Sequence, residues 1–282
     1  MKKKHLWKSR RQYSADGYPL STMRARLTDA IKSVALVFFV TLAFAAPGRT
    51  ATDDPFPIWW SAELELDSLD QVEARLRRDL WLDFPEGLKL YKEQGSGHVT
   101  AQARNCNSLK ELSEEGYYGG NSSNIGVQHY HRSVCRAIAL LGQAKPARTS
   151  YLRGFVLNAE AVHYLPALVN LQPSCQAICQ AYYKNKRGVP LTDFEDIERV
   201  EVTNEIELVV WTAIWRTTMM LVARGDFTAD GLDDILHVSH GGATGGTYAA
   251  ANLYVLTRDK PGAVLRVIDA KQYLCPRYTG CW

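Results

Sequence analysis

Thr217-Thr-Met-Met-Leu-Val-Ala-Arg-Gly-Asp-Phe-Thr-Ala-Asp-Gly-Leu-Asp-Asp-Ile-Leu-His-Val-Ser239 reads as two β-rich runs on either side of a polar loop. The first run ends at Ala223 and the second starts at Asp234, so the stretch predicts a hairpin. Inside the loop Asp226, Thr228 and Asp230 alternate, which lets a tightly curled backbone turn all three side chains towards one centre. Gly231 follows where such a loop bends sharply, and glycine carries the least penalty for positive φ. Asp234 returns a further carboxylate to the same centre. Hard oxygens at alternating positions, with glycine at the sixth, suit Ca²⁺. The alternative is a metal-free polar turn, because Asp-Gly is also a good turn dipeptide.

The run D-x-T-x-D-G-x-x-D-I over Asp226–Ile235 resembles the calcium loop of FG-GAP repeats in integrin-type propellers, a shortened relative of the EF-hand loop. The resemblance implies side-chain ligands at Asp226, Thr228, Asp230 and Asp234, with the backbone carbonyl of Leu232 between them. Two departures lower the ligand charge and number. Thr228 stands where Asn or Asp is usual, and His237 stands where a full EF-hand has its bidentate Glu. The match spans about ten residues, and no period repeats along the chain, so a propeller is not implied.

Further β-rich runs flank this hairpin: Val200–Val202, Ile206–Trp211, Leu253–Thr257 and Val264–Ile268. Upstream, helical spacing is expected around Leu69, Val72, Leu76 and Leu80, over 106–115, over 130–145, through 149–171 and around 173–183. The expected architecture is α+β. A helical N-terminal half (67–188), after an irregular lead-in at 46–66, packs on an antiparallel β-sheet of hairpins (189–282), and 46–282 can be read as one domain.

Residues 1–45 read as a signal peptide. Two basic groups, the second at Arg24, Arg26 and Lys32, precede the apolar run Val34–Phe44 and the small residues Ala43 and Ala45. The run is short for a membrane span, so no stable span is expected after cleavage, an uncleaved anchor being the alternative. Met23 is a second candidate start, and Ser9-Arg-Arg-Gln-Tyr13 an alternative twin-arginine signal. The nine Lys/Arg and two Asp/Glu of residues 1–45, set against the chain's formal +3, leave the remainder at −4. A nucleic-acid-binding surface is not expected on such a chain.

All six cysteines follow the leader, which favours disulfides in an exported chain. Proximity suggests Cys106–Cys135, Cys175–Cys179 and Cys275–Cys281. Zinc is the competing reading, but no CxxC spacing occurs.

Chemistry is sought at four further places. Gly241-Gly-Ala-Thr-Gly-Gly246 is neither a GxGxxG nor a Walker loop and reads as a flexible hairpin. His129-Tyr-His131 converges on one side in a strand and diverges in a helix. His163 reads as a core histidine, and His237 and His240 are candidates to meet Asp233. The carboxylates Glu195, Asp196, Glu198, Glu201, Glu205 and Glu207 read as an exposed strand edge.

The segment Gly225–Arg258 also resembles uncharacterised exported proteins of Gram-negative bacteria that end in one such loop and a hairpin. The expected function is a periplasmic or extracellular, non-enzymatic binding protein with one structural Ca²⁺. It would act on an unidentified protein or envelope component, an inhibitor or immunity protein being one form. The alternative is a cell-envelope hydrolase acting on peptidoglycan, glycan or lipid through the carboxylates or His129 and His131; a membrane-tethered accessory protein is a third reading.

Overall fold

The computed structural model describes residues 49–50, 56–80, 86–172, 174–269 and 272. The expected signal peptide and the Cys275–Cys281 pair lie outside them. The main sheet is antiparallel and has eight strands. They are β1 (Arg49–Thr50), β2 (Trp59–Trp60), β5 (Ile197–Asn204), β6 (Glu207–Thr212), β7 (Trp215–Gly225), β8 (Asp234–Ala243), β9 (Ala249–Thr257) and β10 (Arg266–Val267). The path runs β1-β2-β7-β8-β9-β10, with β6 also on β7 and β5 on β6. Strands β2 and β6 share one edge of β7: β6 pairs with Arg216–Met220 and β2 with Ala223–Arg224.

Both sheet faces are buried, which explains why β7 and β8 read as near-continuous apolar runs. On one face Met220, Val222, Leu236, Val238, Leu253 and Val255 pack under Val134, Ala137, Ile138 and Leu141. Those four lie on helix α3 (Ser122–Leu141), whose first turn is capped by Asn121 Oδ1 accepting from Asn124 N at 2.9 Å. On the other face Met219, Leu221, Ile235, Tyr254 and Leu256 meet Leu157, Ala161, Val162, Leu165 and the helix α4 (Cys175–Lys186). Each large side chain fully buried here contributes about 1.5–3 kcal/mol.

A helical N-terminal half does not exist. Between α1 (Val72–Arg77) and α2 (Cys106–Glu114) the chain forms a separate two-stranded antiparallel sheet, β3 (Leu88–Gln94) and β4 (Gly97–Ala103). Leu88 and Leu90 alternate with exposed or half-exposed residues and pack with Leu109 and Cys106, so the period there is two, not 3.6. Residues 149–171, expected as a long helix, instead make turns and two short 3₁₀ helices, Ala159–His163 and Ala167–Val169. Gly154 adopts φ +73°, and Pro166 supplies no N–H and disfavours helix at Leu165, so helical spacing of apolar residues could not propagate. His163 is consequently exposed, with Nδ1 3.2 Å from Thr192 Oγ1, rather than a core histidine.

Cys106 and Cys135 form the expected cross-link between α2 and α3. Cys175 and Cys179 are also disulfide-bonded, but a Cys175–Cys179 bond is not found among the described residues. Among those residues no helix is long and apolar enough to cross a membrane.

Candidate metal centre

Strands β7 and β8 are joined by the loop 226–233, and a short segment following α3 fixes its course. Asp226 and Lys145 exchange backbone hydrogen bonds at 2.8 and 3.1 Å. The Gly231 carbonyl accepts from Arg148 N and Thr149 N at 2.9 and 3.1 Å, and Asp233 N donates to Thr149 O at 2.9 Å. Because the peptide is planar and trans, that last bond turns the Leu232 carbonyl away from Thr149. The loop bends through two left-handed residues, Ala229 at φ +62° and Gly231 at φ +85°.

Inside this frame Asp226, Asp230 and Asp234 each bring a carboxylate oxygen within 4.8 Å of the others. Backbone amides pre-orient all three. Asp226 accepts from Thr228 N at 3.2 Å and from Gly231 N at 2.9 Å, and Asp230 accepts from Leu232 N at 2.8 Å. Asp234 Oδ2 accepts from Phe227 N and from the Thr228 hydroxyl, both at 3.2 Å, so Thr228 joins the cluster through its oxygen. A carboxylate offers about four lone-pair sites, so these bonds leave each group able to ligate.

Asp234 is wholly buried, and its Oδ1 has no hydrogen-bond partner. Burial pushes its pKa up to about 7, an effect tempered by the Thr257 hydroxyl and the Phe227 amide and reinforced by the charge of Asp230. Thr257 Oγ1 is itself buried, and it has no other partner. A buried anionic oxygen without a donor is costly unless a cation neutralises it. The donors are all oxygens, which favours Ca²⁺ or Mg²⁺ over softer ions. The residues expected as ligands therefore fit a hard cation: Asp226, Thr228, Asp230 and Asp234 converge, and the Leu232 carbonyl lies between the last two along the chain.

Asp233, expected as a partner of His237 or His240, has a different task. Its Oδ2 accepts from Arg224 Nη2 at 2.6 Å and from the Ser150 hydroxyl at 2.7 Å. It does not meet the histidines. His237 is buried, with Nε2 3.1 Å from Ser239 Oγ, and His240 packs edge-on against Tyr130 with centroids 5.0 Å apart. Nothing in the sequence marks Ser150 or Arg224 as partners, because their meeting depends on the 149–171 segment folding back over the sheet.

No protein-family model matches the chain, and neither a curated protein nor a solved structure matches it.

The remaining candidates are dispersed. His129 and His131 lie on α3, where residues two apart point in different directions. The Gly241–Gly246 stretch closes the β8–β9 hairpin, at the far end of β8 from the metal loop. The carboxylates from Glu195 to Glu207 run along β5 and its turn into β6; among the described residues β5 pairs with β6 alone.

Proposed function

We propose that the chain is an exported binding protein whose β7–β8 loop is braced by one Ca²⁺. The observation that carries the metal is the convergence of three carboxylates on one loop, one of them wholly buried. Ligands would be Asp226, Thr228, Asp230, Asp234 and the Leu232 carbonyl, with water completing the six to eight oxygens that Ca²⁺ takes. The ion's task there is structural: it offsets repulsion among the three aspartates and holds the hairpin against the 145–150 segment. Oxidised cysteines at 106, 135, 175 and 179 support an oxidising compartment, the periplasm or the exterior.

The partner proposed is a protein or envelope component, and an inhibitor or immunity protein is one form this takes. The hydrolase alternative rested on His129, His131 and the Glu195–Glu207 carboxylates, which sit on a helix and along a strand edge rather than around one centre.

The test is the thermal midpoint of the chain in EGTA and in millimolar CaCl₂. Ligand binding to the native state alone raises stability by mass action, and saturation predicts a rise of about 5–10 °C. Asp226→Ala/Asp230→Ala should show no rise. An equal midpoint in both buffers for the wild type would sink the calcium reading.

A further inference from the structure

Arg258 follows β9 and is 8% exposed. Its Nη1 donates to the Tyr151 carbonyl at 3.3 Å, while Nε and Nη2 are buried without an acceptor. These two donors form the side-on edge of the guanidinium, the pair that grips both oxygens of a carboxylate. The rings of Phe155 and Tyr164 lie 5.4 and 5.2 Å from the guanidinium carbon. Aromatic faces stabilise a cation, but they do not replace in-plane acceptors for its N–H groups. Arg224 lies close enough for its charge to disfavour that of Arg258, and its own carboxylate partner is Asp233. Among the described residues no carboxylate pairs with Arg258. Of the two rings, Tyr164 is 38% exposed and Phe155 is half-buried.

We propose that Arg258 is an anion-binding residue that takes the carboxylate of an apolar, amino-acid-like ligand. Nε–H and Nη2–H donate to the two carboxylate oxygens, and Phe155 and Tyr164 receive the attached apolar group. Tyr164, as the exposed ring of the two, is the side chain that would rotate outward to admit the ligand. Its backbone stays tied, with Tyr164 N donating to Ala161 O and Leu265 N donating to Tyr164 O at 2.9 and 2.7 Å. This site is separate from the metal loop and does not rest on calcium.

The experiment records the arginine Nε–Hε NMR signals of the full chain during titration with N-acetyl-phenylalanine, its amide and benzoate. A saturable downfield shift of the Arg258 signal with N-acetyl-phenylalanine, and none with the amide, is expected. Arg258→Lys should weaken binding by about tenfold or more, since lysine lacks the fork. Response to benzoate as well would indicate small carboxylates as ligands, whereas response to the acetylated amino acid alone would indicate a peptide C-terminus; both support the carboxylate site. An unmoved Arg258 signal up to millimolar ligand, or equal shifts with acid and amide, would overturn it and leave Arg258 as a cation–π clamp. Assigning the signal through the Arg258 backbone lets the wild type decide the matter even if the variant fails to fold.

Discussion

Arg224 and Asp233, at opposite ends of the β7–β8 loop, meet at 2.6 Å on the sheet face away from α3. A β-bulge makes this meeting possible. Leu221 pairs with His237 but Ala223 pairs with Leu236, so Val222 is extra and both Val222 and Ala223 face α3. Arg224 therefore turns to the opposite face, beside Ile235, where its Nη2 also reaches the Leu152 carbonyl at 3.0 Å. Asp233→Ala should cost about 2–4 kcal/mol, because it leaves a half-buried guanidinium unpaired. Urea melts in EGTA and in calcium should show the same loss, which separates an anchor from a metal ligand.

Asp234→Asn should behave in the opposite way. It removes a buried charge from a cluster of three carboxylates, so the calcium-free protein should be at least as stable as wild type. In millimolar CaCl₂ the variant should fall below wild type, having lost a charged ligand. Paired thermal melts at pH 8 provide the check.

The two left-handed loop residues predict opposite responses. Ala229→Gly relieves a backbone strain of about 1 kcal/mol and should be neutral or stabilising. Gly231→Ala introduces that strain and brings a Cβ within 2.7 Å of the Arg148 guanidinium. It should cost about 1–2 kcal/mol in calcium-free buffer. Denaturant midpoints of the two variants settle the comparison.

His237 supplies a pH dependence. Burial lowers its pKa to about 3, from an ordinary value of 6.5. The native state therefore keeps it neutral while the unfolded chain takes up a proton as pH falls. This contribution is fully present above pH 6.5 and is lost between about pH 6.5 and 3, at up to about 1.4 kcal/mol per unit. His237→Gln should flatten this part of the stability–pH curve, and an unchanged slope would show that other groups carry it.

The Cys106–Cys135 bond closes a separation of 29 residues that includes the Gly116–Asn121 connection. Replacing both with alanine should cost about 3–4 kcal/mol through regained freedom of the unfolded chain. With both proteins under reducing conditions, which also open the disulfides of Cys175 and Cys179, the two midpoints should converge.

The hairpin around the loop was legible because β-branched and apolar runs flank a stretch of Asp, Thr and Gly, and local turn chemistry is written in adjacent residues. The convergence of Asp226, Thr228, Asp230 and Asp234 followed from alternation within nine residues. The helical N-terminal half was misread where spacing alone was the guide. Leu88 and Leu90 form too short an alternation to announce a strand, and the apolar residues of 149–171 fit a helix by spacing although Gly154 and Pro166 forbid one.

By itself the sequence determined the elements whose signals are local: the strands β5 to β10 and the acidic loop, but not β1 and β2 in the stretch read as an irregular lead-in. Only the tertiary structure decided that Asp233 and Asp234, neighbours in the chain, serve a salt bridge and a candidate metal centre respectively. It also decided that Arg258 is buried under two rings. The reason is physical: alternation sets the two sides of a strand, but a single bulged residue and a folded-back segment choose what stands on each side.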